Sequence, residues 1–531
     1  MWSRIPTNLF VLVGGIIAIF LPACGDQRNE DWLSPPINII ATPGHRSVTL
    51  TWDPVLEADV YNVYWSDTMG ALIDDSNKVA AVTPPFTQVG LTNDKAYYFS
   101  VTSVNSVGES TRSIESTATP IPGAPYENAT GFFSPKDSIL DQRFGSAVAI
   151  GYDIALVGAP GASHSGVVGA GAVFLFRKIP ATGEWLESGS LRPSDPVTNG
   201  AFGSSVSLLR GKAIVGAPGA TVGSAIGAGA AYYFTENPTT LLWTEAGRLT
   251  APGPVSGDQF GASVSLTQTM MAVGAPGRES GGLTGSGEVY SYSVLDTLVT
   301  SAGVLALPTP EAGANFGNSV SIQNNELLIG AWNADPLVGG LPVADAGRAY
   351  IFTYDTISGL WDSGVELQSS TAAAGDQFGY AVSLSGIRAA VGAWKADTTP
   401  GTATLVDAGL VHVFTKDSLS NVWGPGAVIG APDGADSANF GKSVALYDIT
   451  LVVGAPYMAN GDLLKSGAGY VFKLDPTWDT WNTGLRLPNL EPQADESMGF
   501  SVNITLGSII LGAPGRKVGA TPTAGAIHAF E

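Results

Sequence analysis

A Phe-Gly pair that returns at a nearly fixed interval constrains this chain more than any other feature. It stands at Phe144, Phe202, Phe260, Phe316, Phe378 and Phe440, and Met498-Gly499 takes the seventh place. Fourteen residues after each of these positions comes a glycine: Gly158, Gly216, Gly274, Gly330, Gly392, Gly454 and Gly512. Each opens a Gly-Ala-Pro or Gly-Ala-Trp triplet. A third glycine, leading an aromatic-rich segment, follows at Gly171, Gly229, Gly287, Gly347, Gly409, Gly469 and Gly525. The period is 56 to 62 residues. Repeats of that length are supersecondary units that cannot bury an apolar face without a neighbour.

Each unit reads as four short strands. In the second, these are expected at about 203–209, 212–215, 230–234 and 243–249, the last opening on Trp243 as others open on Trp185, Trp361, Trp423 and Trp481. Short strands joined by tight turns make antiparallel meanders, and four-stranded meanders repeated radially are propeller blades. The seventh repeat reads as three strands, up to Phe530. Its fourth is expected upstream of the first repeat, where Gly131 to Asp137 aligns with Gly189 to Asp195. Pairing of these two ends would remove the exposed edges of an open array.

The segment before the repeats alternates differently. Val48, Leu50 and Trp52 fall on one face at period two, and Val60 to Trp65 and Tyr97 to Val104 are further β-rich runs between Pro, Gly, Asn and Asp clusters. Roughly seven short strands are expected over 35–120, a small β-sandwich. Trp52 as core tryptophan, Leu91 six residues before Tyr97, and the Asn105 to Ser110 turn make this segment resemble a fibronectin type III domain. Ahead of it, Arg4 precedes an apolar run over Leu9 to Leu21, and Leu21-Pro22-Ala23-Cys24 follows. Residues 1–23 are therefore read as a secretory signal peptide, too short for a membrane span. The ending resembles the lipobox of bacterial lipoproteins, which implies lipidation of Cys24, a tether over 24–34 and attachment to the membrane through the acyl chains.

Phe-Gly followed by Gly-Ala-Pro, seven times over about 125–531, resembles the FG-GAP repeats of the integrin α-chain head. The resemblance implies a seven-bladed β-propeller, so the expected fold is all-β: a fibronectin type III-like sandwich followed by a propeller closed by an N-terminal strand. Many such repeats carry an Asp-x-Asp-x-Asp-Gly calcium loop between their first two strands. Calcium takes six to eight oxygens, and the corresponding turns here, such as Gly151-Tyr152-Asp153 and Asn324-Asn325-Glu326, offer no three spaced carboxylates. The invariant spacing of fourteen leaves room only for a tight hairpin. The family's metal sites are not carried over, and no cofactor is expected.

Loop length shows where the units differ. Between the second and third landmark glycines four repeats have 13 residues, the sixth has 15, and the fourth and fifth have 17. In those last two, Trp replaces Pro: Trp332 and Asp335 lead to Asp345, and Trp394 and Asp397 lead to Asp407. An aromatic beside carboxylates suits stacking on a sugar ring and accepting its hydroxyls. The competing reading is that Trp packs between repeats and Asp fixes turns. Catalytic signals are poor. His45, His164, His412 and His528 lack partners in the sequence, and no HExxH, GxSxG or P-loop pattern occurs. A formal net charge of −21 opposes nucleic acid. The expectation is a non-enzymatic, lipid-anchored cell-envelope binding or adhesion protein. Its expected location is the bacterial envelope at the outer membrane, and its expected partner a protein or glycan at the cell surface. The alternatives are an enzyme cleaving glycans or phosphoesters in a propeller cavity, or a purely architectural component.

Overall fold

The computed structural model describes residues 33–530, apart from 45–46, 56, 71–76, 90, 93–94, 107, 121–128, 137–138, 180–183, 296, 400–402 and 476. Cys24, the apolar run before it, and His45 lie outside these residues. All regular structure among the described residues is β, and the chain divides into two compact units, Met1–Gly123 and Ala124–Glu531.

In the first unit a three-stranded and a four-stranded antiparallel sheet form. Val60–Ser66 and Tyr97–Val104 are the central pair of the larger one. Val48, Leu50, Trp52, Val63, Phe99 and Val101 are buried together, with Trp52 edge-on to Tyr61 at 5.3 Å. Tyr97 is buried as well, and its hydroxyl accepts a hydrogen bond from the Thr92 backbone nitrogen at 3.0 Å, beside buried Leu91. That contact ties the chain crossing to the strand that follows it.

Among the described residues the second unit holds seven sheets of four or five strands, one on each Phe-Gly or Met-Gly segment, and a separate two-stranded hairpin. The second sheet sets the pattern: Ser205–Leu209, Lys212–Ala217, Ala230–Glu236 and Trp243–Leu249 pair antiparallel in sequence order. The seventh contains Ser501–Thr505, Ser508–Ala513 and Ala526–Phe530, and its fourth strand is Ala129–Phe133, which pairs with Ala526–Phe530. Outer strands weaken in the fourth and sixth sheets, where each is split in two: Leu360–Trp361 with Val365–Leu367, and Thr480–Trp481 with Leu485–Arg486. In the fifth, Trp423 makes only an isolated bridge before Ala427–Ile429. The long loop of the fourth repeat carries a small hairpin of its own, Leu337–Val338 with Leu341–Pro342.

The repeat motif is explained by contacts between sheets. The six phenylalanines and Met498 are almost wholly buried, each among its repeat's third-strand side chains or those of its neighbour. Phe202, for example, meets Tyr232 and Phe234 edge-on at 5.4 and 6.0 Å. Each Gly-Ala glycine lies against the carbonyl of the Phe-Gly glycine in the next repeat. A Cβ on Gly158 would overlap the Gly203 oxygen, and the same holds from Gly330 to Gly379 and from Gly392 to Gly441. Gly512 of the seventh repeat makes this contact with Gly145 of the first. Five serines reinforce it, among them Ser205, whose hydroxyl donates to the Gly261 carbonyl at 2.9 Å, and Ser501, which donates to Gly145 at 2.8 Å. Spacing is fixed at fourteen because both glycines must reach opposite neighbours from one hairpin.

The third landmark needs one correction. In the sixth repeat the structural equivalent is Gly467, which bridges Met498 as Gly171 bridges Phe202 and Gly229 bridges Phe260. Gly469 lies inside the strand Ala468–Asp475. The loop of the sixth repeat is thus the same length as in the first three and the seventh. Only the fourth and fifth are long. Gly467 takes a positive φ of 83° in that bridge, whereas Gly469 does not, and sequence alone could not distinguish two glycines two residues apart.

Candidate functional site

The glycine contact between repeats also decides which variable side chains meet. It brings the residue after Gly-Ala in one repeat beside the residue after Phe-Gly in the next. By position in the repeat most of these pairs are small, such as Pro160 with Ser204 and Pro218 with Ala262, while the sixth is Pro456 with Phe500. At two junctions they are large. Trp332 meets Tyr380 edge-on at 5.9 Å, and Trp394 meets Lys442, whose Nζ lies 3.8 Å from the indole centroid. Tyr380 in turn packs on Trp394 at 4.9 Å, so the two tryptophans share one tyrosine.

Lys442 is the centre of this cluster. Besides Trp394, its ammonium faces the rings of Tyr457 at 5.0 Å, Tyr380 at 5.2 Å and Phe500 at 5.8 Å. Each ring attracts the cation through its negative face. Lys395 approaches the same indole at 5.1 Å, and Lys465 lies 5.9 Å from the Tyr457 ring. All four rings are half-buried, as is Lys442. Burial, with a smaller contribution from Lys395, pushes the Lys442 ammonium down to about 8, because water is removed from the charged form. Burial also pushes the Tyr380 phenol up, with Tyr457 adding to the effect. The Trp394 Nε1 is buried with no hydrogen-bond partner among the described residues. Behind the cluster, Asn439 Nδ2 donates to the Trp394 carbonyl at 3.1 Å and holds the loop in place.

The four candidate aspartates do something else. Asp335 accepts a hydrogen bond from the Asp345 backbone nitrogen at 2.7 Å, and Asp397 accepts one from the Asp407 nitrogen at 2.9 Å. Asp345 and Asp407 have φ of 51° and 50°, the left-handed conformation adopted by Gly169, Gly227 and Thr523 in other repeats. Asparagine and aspartate tolerate this region better than most side chains. In both loops the acids therefore act as a clasp, with the first closing the turn that the second makes. Asp335 is further tied in by its own nitrogen, which donates to Glu311 at 2.8 Å, and by its carbonyl, which accepts from Arg348. No group of three or more His, Cys, Asp or Glu among the described residues is arranged to hold a cation.

The structure thus joins Trp332 and Trp394 into one cluster and leaves their aspartates to the loop backbone. Sequence reasoning missed Tyr380, Lys442, Tyr457 and Phe500. The signal was available, since Tyr380, Lys442 and Phe500 follow the Phe-Gly or Met-Gly pair directly, where the first three repeats carry Ser146, Ser204 and Ala262. The histidines are structural or isolated. His412 is buried edge-on to Phe378 at 5.3 Å, and burial pushes it down to about 4. His528 is buried 3.8 Å from Glu496, and the His164 ring lies beside the Ser165 hydroxyl in a turn closed by a backbone bridge to Val167.

The FG-GAP repeat family matches residues 185–234, 243–292, 308–352, 361–414 and 423–472, and the fibronectin type III domain family matches 34–119. A stretch of 120 residues is 31% identical to an amylopullulanase of Thermoanaerobacterium saccharolyticum, covering 21% of this chain and 9% of that protein. The chain thus spans under a tenth of the curated relative's length. Among solved structures, a fibronectin type III-like protein from Clostridium thermocellum is 25% identical over 16% of this chain and 90% of its own, with a TM-score of 0.15. The FN5 domain of Drosophila Lar is 24% identical over 17% and 99%, also at 0.15. Saccharomyces cerevisiae Sqt1 is 12% identical over 76% and 99%, at 0.38.

Proposed function

We propose, for a chain that carries a fibronectin type III domain followed by FG-GAP repeats, that it is a non-enzymatic binding protein of the bacterial cell envelope. The seven sheets are the blades of a closed β-propeller. Support for closure comes from the strand Ala129–Phe133 completing the seventh sheet and from Gly512 packing on Gly145 as each glycine does at the other junctions. The sandwich is a spacer, and lipidated Cys24 is the anchor. The recognition surface is the rim where Trp332, Tyr380, Trp394 and Lys442 converge. One observation carries this reading: an otherwise repetitive inner rim becomes large and aromatic at neighbouring junctions only. Scaffold packing does not require this, because four of the other five junctions carry Pro with Ser, Ala or Asn at these positions, and the fifth, Pro456 with Phe500, adjoins the same cluster.

The test is an array of surface glycans and envelope proteins probed with the full-length chain and with Trp332→Ala/Trp394→Ala. Binding by the wild type and its loss in the double variant are expected. Equal binding by both would remove the site from the proposal. Anchoring is tested separately by fractionation, where Cys24→Ser should move the chain from the membrane to the soluble fraction.

A further inference from the structure

The cage around Lys442 leaves a chemical deficit. An ammonium has three N–H donors, and aromatic faces attract its charge without providing a strong acceptor for those hydrogens. Among the described residues no oxygen of the protein is hydrogen-bonded or ion-paired to Lys442 Nζ. Several other partly or wholly buried cations are matched by a carboxylate: Arg278 with Asp258 at 2.6 Å, Lys416 with Glu326 at 2.8 Å, Arg486 with Asp433 at 2.7 Å, Arg516 with Glu496 at 2.5 Å. At Lys442 the neighbouring charge is instead a second cation, Lys395, on the same indole. The buried Trp394 Nε1 is a further donor without an acceptor. Donors and positive charge therefore concentrate where acceptors are lacking, against a wall of half-buried rings.

Resting on the recognition surface proposed above, we infer that this cluster is the subsite for a carboxylated saccharide, a uronate unit of an oligosaccharide. Its carboxylate is taken by Lys442 and Lys395, and its pyranose ring lies against the adjoining aromatic rings. Each half of the cluster narrows the ligand class. A neutral sugar uses the rings but leaves two ammonium groups unmatched. A free inorganic anion satisfies the charge but makes no use of the aromatic wall. A ring bearing a carboxylate uses both, through charge-assisted hydrogen bonds and apolar contact.

Binding is then linked to protonation. The groups facing Lys442 are Lys395, Lys465 and the phenols of Tyr380 and Tyr457. With Lys442 pushed down to about 8, part of the population is neutral at mildly alkaline pH. A bound carboxylate restores the charged form, so binding near that pH takes up protons and weakens as pH rises further.

The experiment is calorimetric titration of the full-length chain with a short oligogalacturonate, with the same oligosaccharide after reduction of its carboxyls to hydroxymethyl groups, and with a sulfated oligosaccharide of equal length. Oligogalacturonate should bind at least about tenfold more tightly than its reduced form, as expected when a desolvated charge loses its partner. Lys442→Met should lose a similar factor and Lys442→Arg should retain most of the affinity. A proton-uptake signal in wild type near pH 8, read from buffers of different ionisation enthalpy, does not depend on any variant folding. Equal affinity for the acid and its reduced form overturns the inference; if Trp332→Ala/Trp394→Ala still abolishes both, the recognition surface itself stands. Tighter binding of the sulfated probe, or no uronate binding by a chain that still captures an array ligand through those tryptophans, also overturns it.

Discussion

The first three repeats and the fourth to sixth share one backbone solution and differ in what they mount on it. Gly158, Gly216 and Gly274 press on the next repeat's glycine carbonyl in the same way as Gly330, Gly392 and Gly454. Yet the first group carries Pro160, Pro218 and Pro276 with Ser204, Ala262 and Asn318 at the corresponding positions, whereas the second carries Trp332 with Tyr380, Trp394 with Lys442 and Pro456 with Phe500. The scaffold is indifferent to this exchange, because the backbone contact leaves the next side chains on the rim. Repeat architecture thus separates what must be constant from what is free to bind.

This comparison can be broken most directly at its constant half. Gly216→Val and Gly392→Val each drive a side chain into a neighbouring carbonyl and should destabilise the second unit by more than about 4 kcal/mol in urea unfolding. The losses should match, since the two junctions are built alike. Deleting 125–135, which contains the fourth strand of the seventh sheet, should abolish a single cooperative transition; an unchanged melt would refute closure. Phe202→Ala and Phe440→Ala should each cost about 3–5 kcal/mol, the usual range for a buried phenylalanine, and again should not differ between the two groups.

The variable half gives smaller and unequal effects. Trp394→Ala should abolish ligand capture on the array, with a stability loss below that of the phenylalanines because the indole is only half-buried. Lys442→Met should stabilise the chain at neutral pH. The wild-type lysine binds its proton more weakly folded than unfolded, so wild-type stability rises with pH between about 8 and the ordinary lysine value of 10.5. The advantage of Lys442→Met should therefore shrink across that window, as read from urea midpoints at several pH values. Smallest of all, Asp397→Ala removes one turn hydrogen bond and should cost about 1 kcal/mol. Ligand binding should persist, which distinguishes a clasp from a contact residue.

Much of the fold was legible because it is written in backbone requirements. A glycine that another carbonyl touches admits no other residue, so Gly158 and its equivalents repeat without exception, and the buried phenylalanine repeats nearly so. Strand alternation and Leu91 with Tyr97 marked the sandwich in the same way. The candidate site was only half legible. Trp332 and Trp394 stood out, but their nearest sequence neighbours, the aspartates, turned out to serve the loop itself. Lys442 is 48 residues beyond Trp394 in the chain and 3.8 Å from its ring in space.

The sequence by itself marked the repeats, most of their strands and the glycine positions that cannot vary, since these follow from local periodicity and from sterics at single glycines. Only the tertiary structure decided which variable residues face each other. That pairing runs between successive repeats, across a backbone contact whose register is set by packing, and no spacing within one repeat records it. The same packing removes water from Lys442 and surrounds it with rings, and so turns an ordinary lysine into the most distinctive group on the rim.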